Sequence, residues 1–207
     1  MKLNKNQIII LGAGGHAKVI ASSLLRQRKK NILFVSEKVQ KNSYFSSFKQ
    51  ISEKIFLASK FKNSNIYLGI GIVIKNNKRN QIIKKYLKHG FAFKKLIDKD
   101  AKIGLKVNIK EGAQILRGCQ IGENVFIDKN CIINTMSIIE HDVVIEENCH
   151  IAPGSIILGG AHICRDTFIG AGSIILQGVK IGSNSIIAAG SIVNKNLPKK
   201  SYHLMKK

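Results

Sequence analysis

The sequence predicts two successive architectures. Residues 1–96 read as an α/β domain with a small parallel sheet of Rossmann type, and residues 97–207 as a parallel β-helix. Three observations carry this. Isoleucine returns at every sixth residue from 97 to 193, filling sixteen of seventeen sites, with Val193 as the last. Three residues after each site stands Gly, Asn or Asp in 15 of 17 units, Lys106 and Met136 being the exceptions. The first 96 residues lack this count and alternate short apolar runs with helically spaced ones.

In the first half, QIIIL (7–11) reads as a buried strand and GAGGHA (12–17) as a glycine turn. KVIASSLLRQ (18–27) has the spacing of a helix, and NILFVS (31–36) reads as a second strand. A polar stretch rich in Lys and Ser follows. NIYLGIG (65–71) reads as a third strand and RNQIIKKYLKH (79–89) as a helix stopped by Gly90. FAFKKLI (91–97) reads as a last strand entering the repeats.

In the second half, a six-residue unit with one large inward side chain is a short strand plus a corner. Gly, Asn and Asp tolerate the left-handed backbone that such a corner needs. Three units close one triangular coil, and stacked coils set isoleucine on isoleucine. Seventeen units give five to six coils, about 25 Å tall at a strand spacing of about 4.8 Å. Neither helix nor sandwich predicts an unbroken six.

Composition excludes several classes. No apolar run reaches the length of a membrane span. The opening MKLNKNQIIILGAGG has too short an apolar run for a signal peptide and reads as a first strand, so a cytoplasmic location is expected. Cys119, Cys131, Cys149 and Cys164 match neither a zinc knuckle nor a disulfide framework, and read as small buried thiols. Net charge is +22, of which residues 1–96 carry 21 Lys and Arg against two acids, Glu37 and Glu53. That field could steer an anionic ligand, or could be a solvated lysine-rich surface. No motif supports nucleic-acid binding.

Gly12, Gly14 and Ala17 satisfy G-x-G-x-x-A between a strand and a helix. Such a turn lets the backbone approach a phosphate, and the helix start offers free N–H groups. A tight turn without ligand would read the same way. The acid that would meet a dinucleotide ribose is one step off, at Ser36-Glu37, and the domain is half a full dinucleotide fold. A nucleotide-linked substrate is therefore favoured over NAD.

The chain resembles the hexapeptide-repeat acyltransferases in its [LIV]-G-x-x-x-x units, such as I103-G104, I121-G122, I169-G170 and I181-G182. Left-handedness of the β-helix is implied by that resemblance. Within them it resembles the bacterial nucleotide-sugar N-acetyltransferases and sialic acid O-acetyltransferases. The residues concerned are IIILGAGGHAKVI, LGIG (68–71), KLIDKDAKIG and NTMSIIEHDVVIEENCHIAPGS, the last combining Asn134, His141, Asp142 and His150.

His141 suits a general base, because imidazole accepts a proton near neutral pH. On spacing alone it could equally be a solvated surface residue. Either neighbouring carboxylate, Glu140 or Asp142, could orient the ring; the resemblance implies His141 as that base with Asp142 as its orienting carboxylate, His150 as an acetyl-CoA contact, and the Gly159 amide as a donor to the thioester oxygen. It also implies that the pantetheine arm passes Ala171 and Ala189. Gly14, Gly15, His16, Ser36, Glu37 and Gly71 would hold the nucleotide sugar. Asn134 supports a turn and could orient the site. His141 and His150 stand half a coil apart, so one chain would not join them. A homotrimer with sites between subunits would. His162 reads as a surface or packing residue, and the spacings of the three histidines do not suit a catalytic zinc, so no metal is expected.

The chain departs from its relatives in three places, the first being Ser36-Glu37 where an acidic pair is usual after the second strand. It ends VNKNLPKKSYHLMKK, without the G-x-P-A segment that closes over the coenzyme in many of them, and Asp98 stands where histidine is frequent. The expected function is acetyl-CoA-dependent N-acetylation of the 4-amino group of a nucleotide-linked dideoxy sugar, for a surface glycan or glycoprotein. O-acetylation of a sialic-acid-like sugar is the alternative, and a non-catalytic scaffold the second.

Overall fold

The computed structural model describes residues 7–40, 43–58, 65–71 and 78–203. It divides into two compact units, Met1–Lys94 and Lys95–Lys207.

The first unit has a four-stranded parallel sheet. Its strands are β1 (Ile8–Leu11), β2 (Ile32–Ser36), β3 (Lys49–Ser52) and β4 (Asn65–Leu68), in the order β3-β2-β1-β4. β1 is central and buried along its whole length, which is why it reads as an unbroken apolar run. Helix α1 (Gly15–Arg26) packs Ala17, Ile20, Ala21 and Leu24 inward, an i, i+3, i+4, i+7 stripe. Helices α2 (Ser43–Ser46) and α3 (Glu53–Ala58) are short, and α4 is Lys78–Lys88. α4 ends in a Schellman turn: Gly90 takes φ +78°, its N–H bonds Leu87 O, and Phe91 N–H bonds Tyr86 O. The rings of Phe91 and Tyr86, 5.6 Å apart, supply the apolar contact that accompanies it.

Two expectations need correction here. The polar stretch after β2 holds a strand and two helices. In β3 only Ile51 is buried, so this edge strand shows no alternation, and α2 and α3 are too short to show a period. FAFKKLI is not one strand: Phe93 makes an isolated bridge to Ile66, and pairing resumes only at Leu96–Ile97. Phe91 and Phe93 are buried on either side of exposed Ala92, so their alternation records burial rather than a ladder.

The second unit is a left-handed β-helix whose three faces are parallel sheets of five, seven and six two-residue strands. Each strand pairs with its counterpart on the next coil, as in Ile127↔Ile145, Ile133↔Ile151 and Ile139↔Ile157. From Ile115 to Ile187 the inward isoleucines are 3 % exposed or less, and each contributes about 1.5–3 kcal/mol by burial. The corners are left-handed as expected, with Asn124 at φ +58°, Asp142 at +60° and Gly160 at +67°. Lys106 at +55° and Met136 at +59° take the same conformation without the residue type for it.

The small residue four places after each isoleucine has its own reason. Ser137, Ser155 and Ser173 donate hydroxyl bonds of 3.0, 2.8 and 2.9 Å to carbonyls of the next coil. Cys119, Cys131 and Cys149 do the same with thiols, at 3.0, 3.0 and 3.1 Å. All four cysteines are free and buried. The count breaks only at the end, where Ile181 bridges Leu197 and Ile186 pairs with Tyr202, both short of a full coil.

Candidate active site

His141 and Asp142 occupy one corner of the β-helix, just after the strand Ile138–Ile139. The left-handed turn at Asp142 sends its carboxylate back along the corner, where Oδ2 lies 2.8 Å from His141 Nδ1. A carboxylate only accepts, so Nδ1 carries the proton and Nε2 presents its lone pair. Both side chains are more than half exposed. The hydrogen bond to Asp142 raises the His141 pKa above its ordinary value, with Asp142, Glu140 and Glu123 adding charge in the same direction. Asp142 is held below the usual carboxylate range, first by Asn124 and then by His141.

Asn124 is a site residue that the sequence reading missed. Its Nδ2 donates to Asp142 Oδ1 at 2.7 Å. The signal was available: Asn124 stands one coil before Asp142, at the same left-handed corner position. One coil in the other direction from His141 stands Gly159. A Cβ there would lie 2.6 Å from both Cε1 and Nε2 of His141. Gly159 is therefore a glycine because the imidazole lies on it, and its φ is not in the left-handed region. Asn124, Asp142, His141 and Gly159 thus form a single column: a carboxylate fixed from below and an imidazole seated on the backbone above.

His150 lies elsewhere, on the strand His150–Ile151 of the seven-stranded face. It is 8 % exposed, edge-on to Phe168 with centroids 5.1 Å apart. Asn134 Nδ2 donates to its Nε2 at 3.1 Å, and the Thr135 N–H fixes the amide by bonding Asn134 Oδ1 at 2.8 Å. Ala171 and Ala189 are exposed and stacked at the corner after that face, linked by the Gly190 N–H bonding Ala171 O at 2.8 Å. Within one chain these residues belong to a different face from the His141 column. His162 bonds Glu146.

The first unit carries a cavity of about 650 Å³ at the C-terminal ends of its strands. All six residues named from the sequence line it: Gly14, Gly15, His16, Ser36, Glu37 and Gly71. Its glycines fall into two kinds. Gly12, at φ +101°, and Gly69, where a Cβ would meet Ile10 Cγ2 at 2.6 Å, are required by the fold. Gly14 and Gly15 are not, since a Cβ on either would stand in open space. Gly14 is the N-cap of α1, a position that favours glycine over alanine, and both glycines line the cavity where the α1 N-terminus opens. Glu53, Lys85 and Tyr86 also line the cavity, with Lys85 Nζ 2.8 Å from Glu53. Burial, followed by the Glu53 carboxylate, holds the Tyr86 hydroxyl protonated well beyond the ordinary phenol range. Among the described residues no helix is long and apolar enough to cross a membrane.

Comparison with known proteins places both halves. Residues 7–86 match the PglD N-terminal domain, and residues 160–195 the bacterial transferase hexapeptide repeats. A mutant of GDP-perosamine N-acetyl transferase from Caulobacter crescentus, solved with CoA and GDP-perosamine, superposes with a TM-score of 0.82 at 27 % identity, covering 93 % of this chain and 90 % of that one. The acetyltransferase domain of PglB from Neisseria gonorrhoeae superposes with a TM-score of 0.84, covering 93 % of each chain; at 24 % identity it speaks for the fold. Curated protein sequences hold no match.

Proposed function

We propose, from its likeness to hexapeptide-repeat acetyltransferases that carry a PglD-type N-terminal domain, that the chain transfers acetyl from acetyl-CoA to the 4-amino group of a nucleotide-linked amino-dideoxy sugar. The observation that carries the proposal is the His141 column: a proton-accepting Nε2, fixed through Nδ1 by Asp142 and seated on Gly159.

In this reading the sugar amine attacks the thioester carbonyl as Nε2 of His141 removes its proton. The carbonyl oxygen gains negative charge and takes a hydrogen bond from the Gly159 amide. Collapse breaks the C–S bond and the thiolate leaves, protonated by the imidazolium. Asp142 stabilises the positive ring between these steps, and Asn124 keeps Asp142 ionised and aimed. His150, backed by Asn134, contacts the coenzyme, and Ala171 and Ala189 give the pantetheine arm a track free of side chains. In the N-terminal cavity the diphosphate lies against Gly14 and Gly15 at the α1 N-terminus, with His16, Ser36, Glu37 and Gly71 around the nucleotide.

A homotrimer is part of the proposal. His141 and His150 stand on different faces of the prism, and threefold packing would set one chain's His141 beside the next chain's His150. A cytoplasmic location follows from the two soluble substrates. The test is purified protein with acetyl-CoA and a panel of free and nucleotide-linked amino sugars, followed by thiol release. Release with nucleotide-linked amines alone supports the proposal. Release with sialic acids supports O-acetylation instead, and no release with any acceptor overturns it.

A further inference from the structure

Three chemically matched side chains converge on the five-stranded face, which follows the His141 corner along the chain. Glu146 follows inward Ile145, while His162 and Cys164 flank inward Ile163 one coil later. Residues two apart on an extended strand point to the same side, so the imidazole and the thiol share one outward surface. The Glu146 carboxylate reaches up between them. His162 Nε2 lies 2.8 Å from Glu146 Oε1, and the three donor atoms are all within 4.8 Å of one another.

We propose that Glu146, His162 and Cys164 form a binding site for a zinc ion. A thiolate, an imidazole and a carboxylate are the ligands zinc takes, with water completing a tetrahedron. Zinc–ligand bonds of about 2.0–2.3 Å put tetrahedral donors roughly 3.3–3.6 Å apart. The His162–Glu146 pair must therefore open by about half an ångström, and the wider pairs close by about one, within reach of side-chain torsions. Outer contacts hold the ligands. The Arg165 N–H donates to Glu146 Oε2 at 2.9 Å, leaving Oε1 for the metal. The nearby Arg165 guanidinium is shared with Glu147, 3.8 Å away. On binding, the Cys164 S–H proton passes to solvent and the His162 proton moves by tautomerisation from Nε2 to Nδ1, so the ion meets a thiolate, a neutral ring and a carboxylate. The site ties one coil to the next, so its role is to brace the β-helix.

The experiment uses the full chain, stripped with chelator and dialysed against zinc, with cobalt(II) as a spectroscopic substitute. One zinc per chain is expected, and cobalt should give a thiolate-to-metal charge-transfer band. Cys164→Ser should abolish that band, and both Cys164→Ser and His162→Gln should weaken zinc binding at least tenfold, the lower end of what losing even an outer-shell contact costs. His89→Gln, at a histidine of the first unit whose ring bonds the Lys85 carbonyl, should leave binding unchanged. Wild-type protein that retains no stoichiometric zinc, or a cobalt spectrum without the thiolate band, overturns the proposal without any variant having to fold. Zinc that survives Cys164→Ser at full affinity, bound at another histidine, overturns it as well.

Discussion

Gly159→Ala isolates the placement of the base from its chemistry. The new methyl would stand 2.6 Å from Cε1 and Nε2 of His141, where ordinary contact requires about 3.4 Å or more. The obstructing atoms are the far end of an exposed side chain, so the ring yields and the backbone stays. It must move by about 0.8 Å, and a misplacement of about 1 Å costs roughly 100-fold in rate. Alanine keeps the amide N–H, so any contact that N–H makes with the acetyl oxygen survives. The expected result is a kcat lower by about 100-fold, with KM for the nucleotide sugar and the melting temperature close to wild type. Thiol release at saturating acetyl-CoA gives kcat, and circular dichroism gives the melt. Wild-type kcat in a folded Gly159→Ala protein would refute the seating of His141 on residue 159 as a condition of catalysis.

Other perturbations separate the remaining parts. Because Asp142 raises the His141 pKa, kcat/KM should rise with pH through a midpoint above the ordinary value near 6.5; Asp142→Asn should lower that midpoint and kcat together, read from pH–rate profiles. Gly15→Ala should leave the melt unchanged or slightly higher, since it lies within α1 and its Cβ meets nothing, yet weaken nucleotide-sugar binding in calorimetry; equal affinity would remove Gly15 from the phosphate site. Met136→Asn should stabilise the chain by about 0.5–1 kcal/mol in urea titration, because an exposed methionine is held at φ +59°, where asparagine is tolerated.

The β-helix was legible because its period is enforced twice over. Each inward isoleucine is in register with its counterpart on the next coil, and each corner needs a left-handed residue, so both constraints print the same count. Adjacency made both Glu140 and Asp142 candidates for the carboxylate beside His141, and the family resemblance pointed to Asp142. Asn124 was overlooked, although the 18-residue coil places it one coil before Asp142, because its contact crosses between coils rather than running along the chain. The Glu146, His162 and Cys164 cluster hid for the same reason, since its members stand on successive coils. In the N-terminal unit, β1 and β2 were readable as buried runs. β3 was not, since an edge strand with one buried side chain carries no pattern. The glycine turn was ambiguous in sequence between steric need and ligand approach. The structure separates the glycines by residue: Gly12 is held by its positive φ and its close packing, whereas Gly14 and Gly15 have open space around them and line the cavity.

The central claim is that His141 takes the proton from an acceptor amine. Its most direct measurement is steady-state acetylation of a nucleotide-linked 4-amino sugar by wild-type and His141→Ala protein. General-base catalysis is worth about 10²–10⁴-fold, so kcat should fall by that factor with both KM values little changed. A folded His141→Ala protein that retains wild-type kcat would show that the proton leaves by another route.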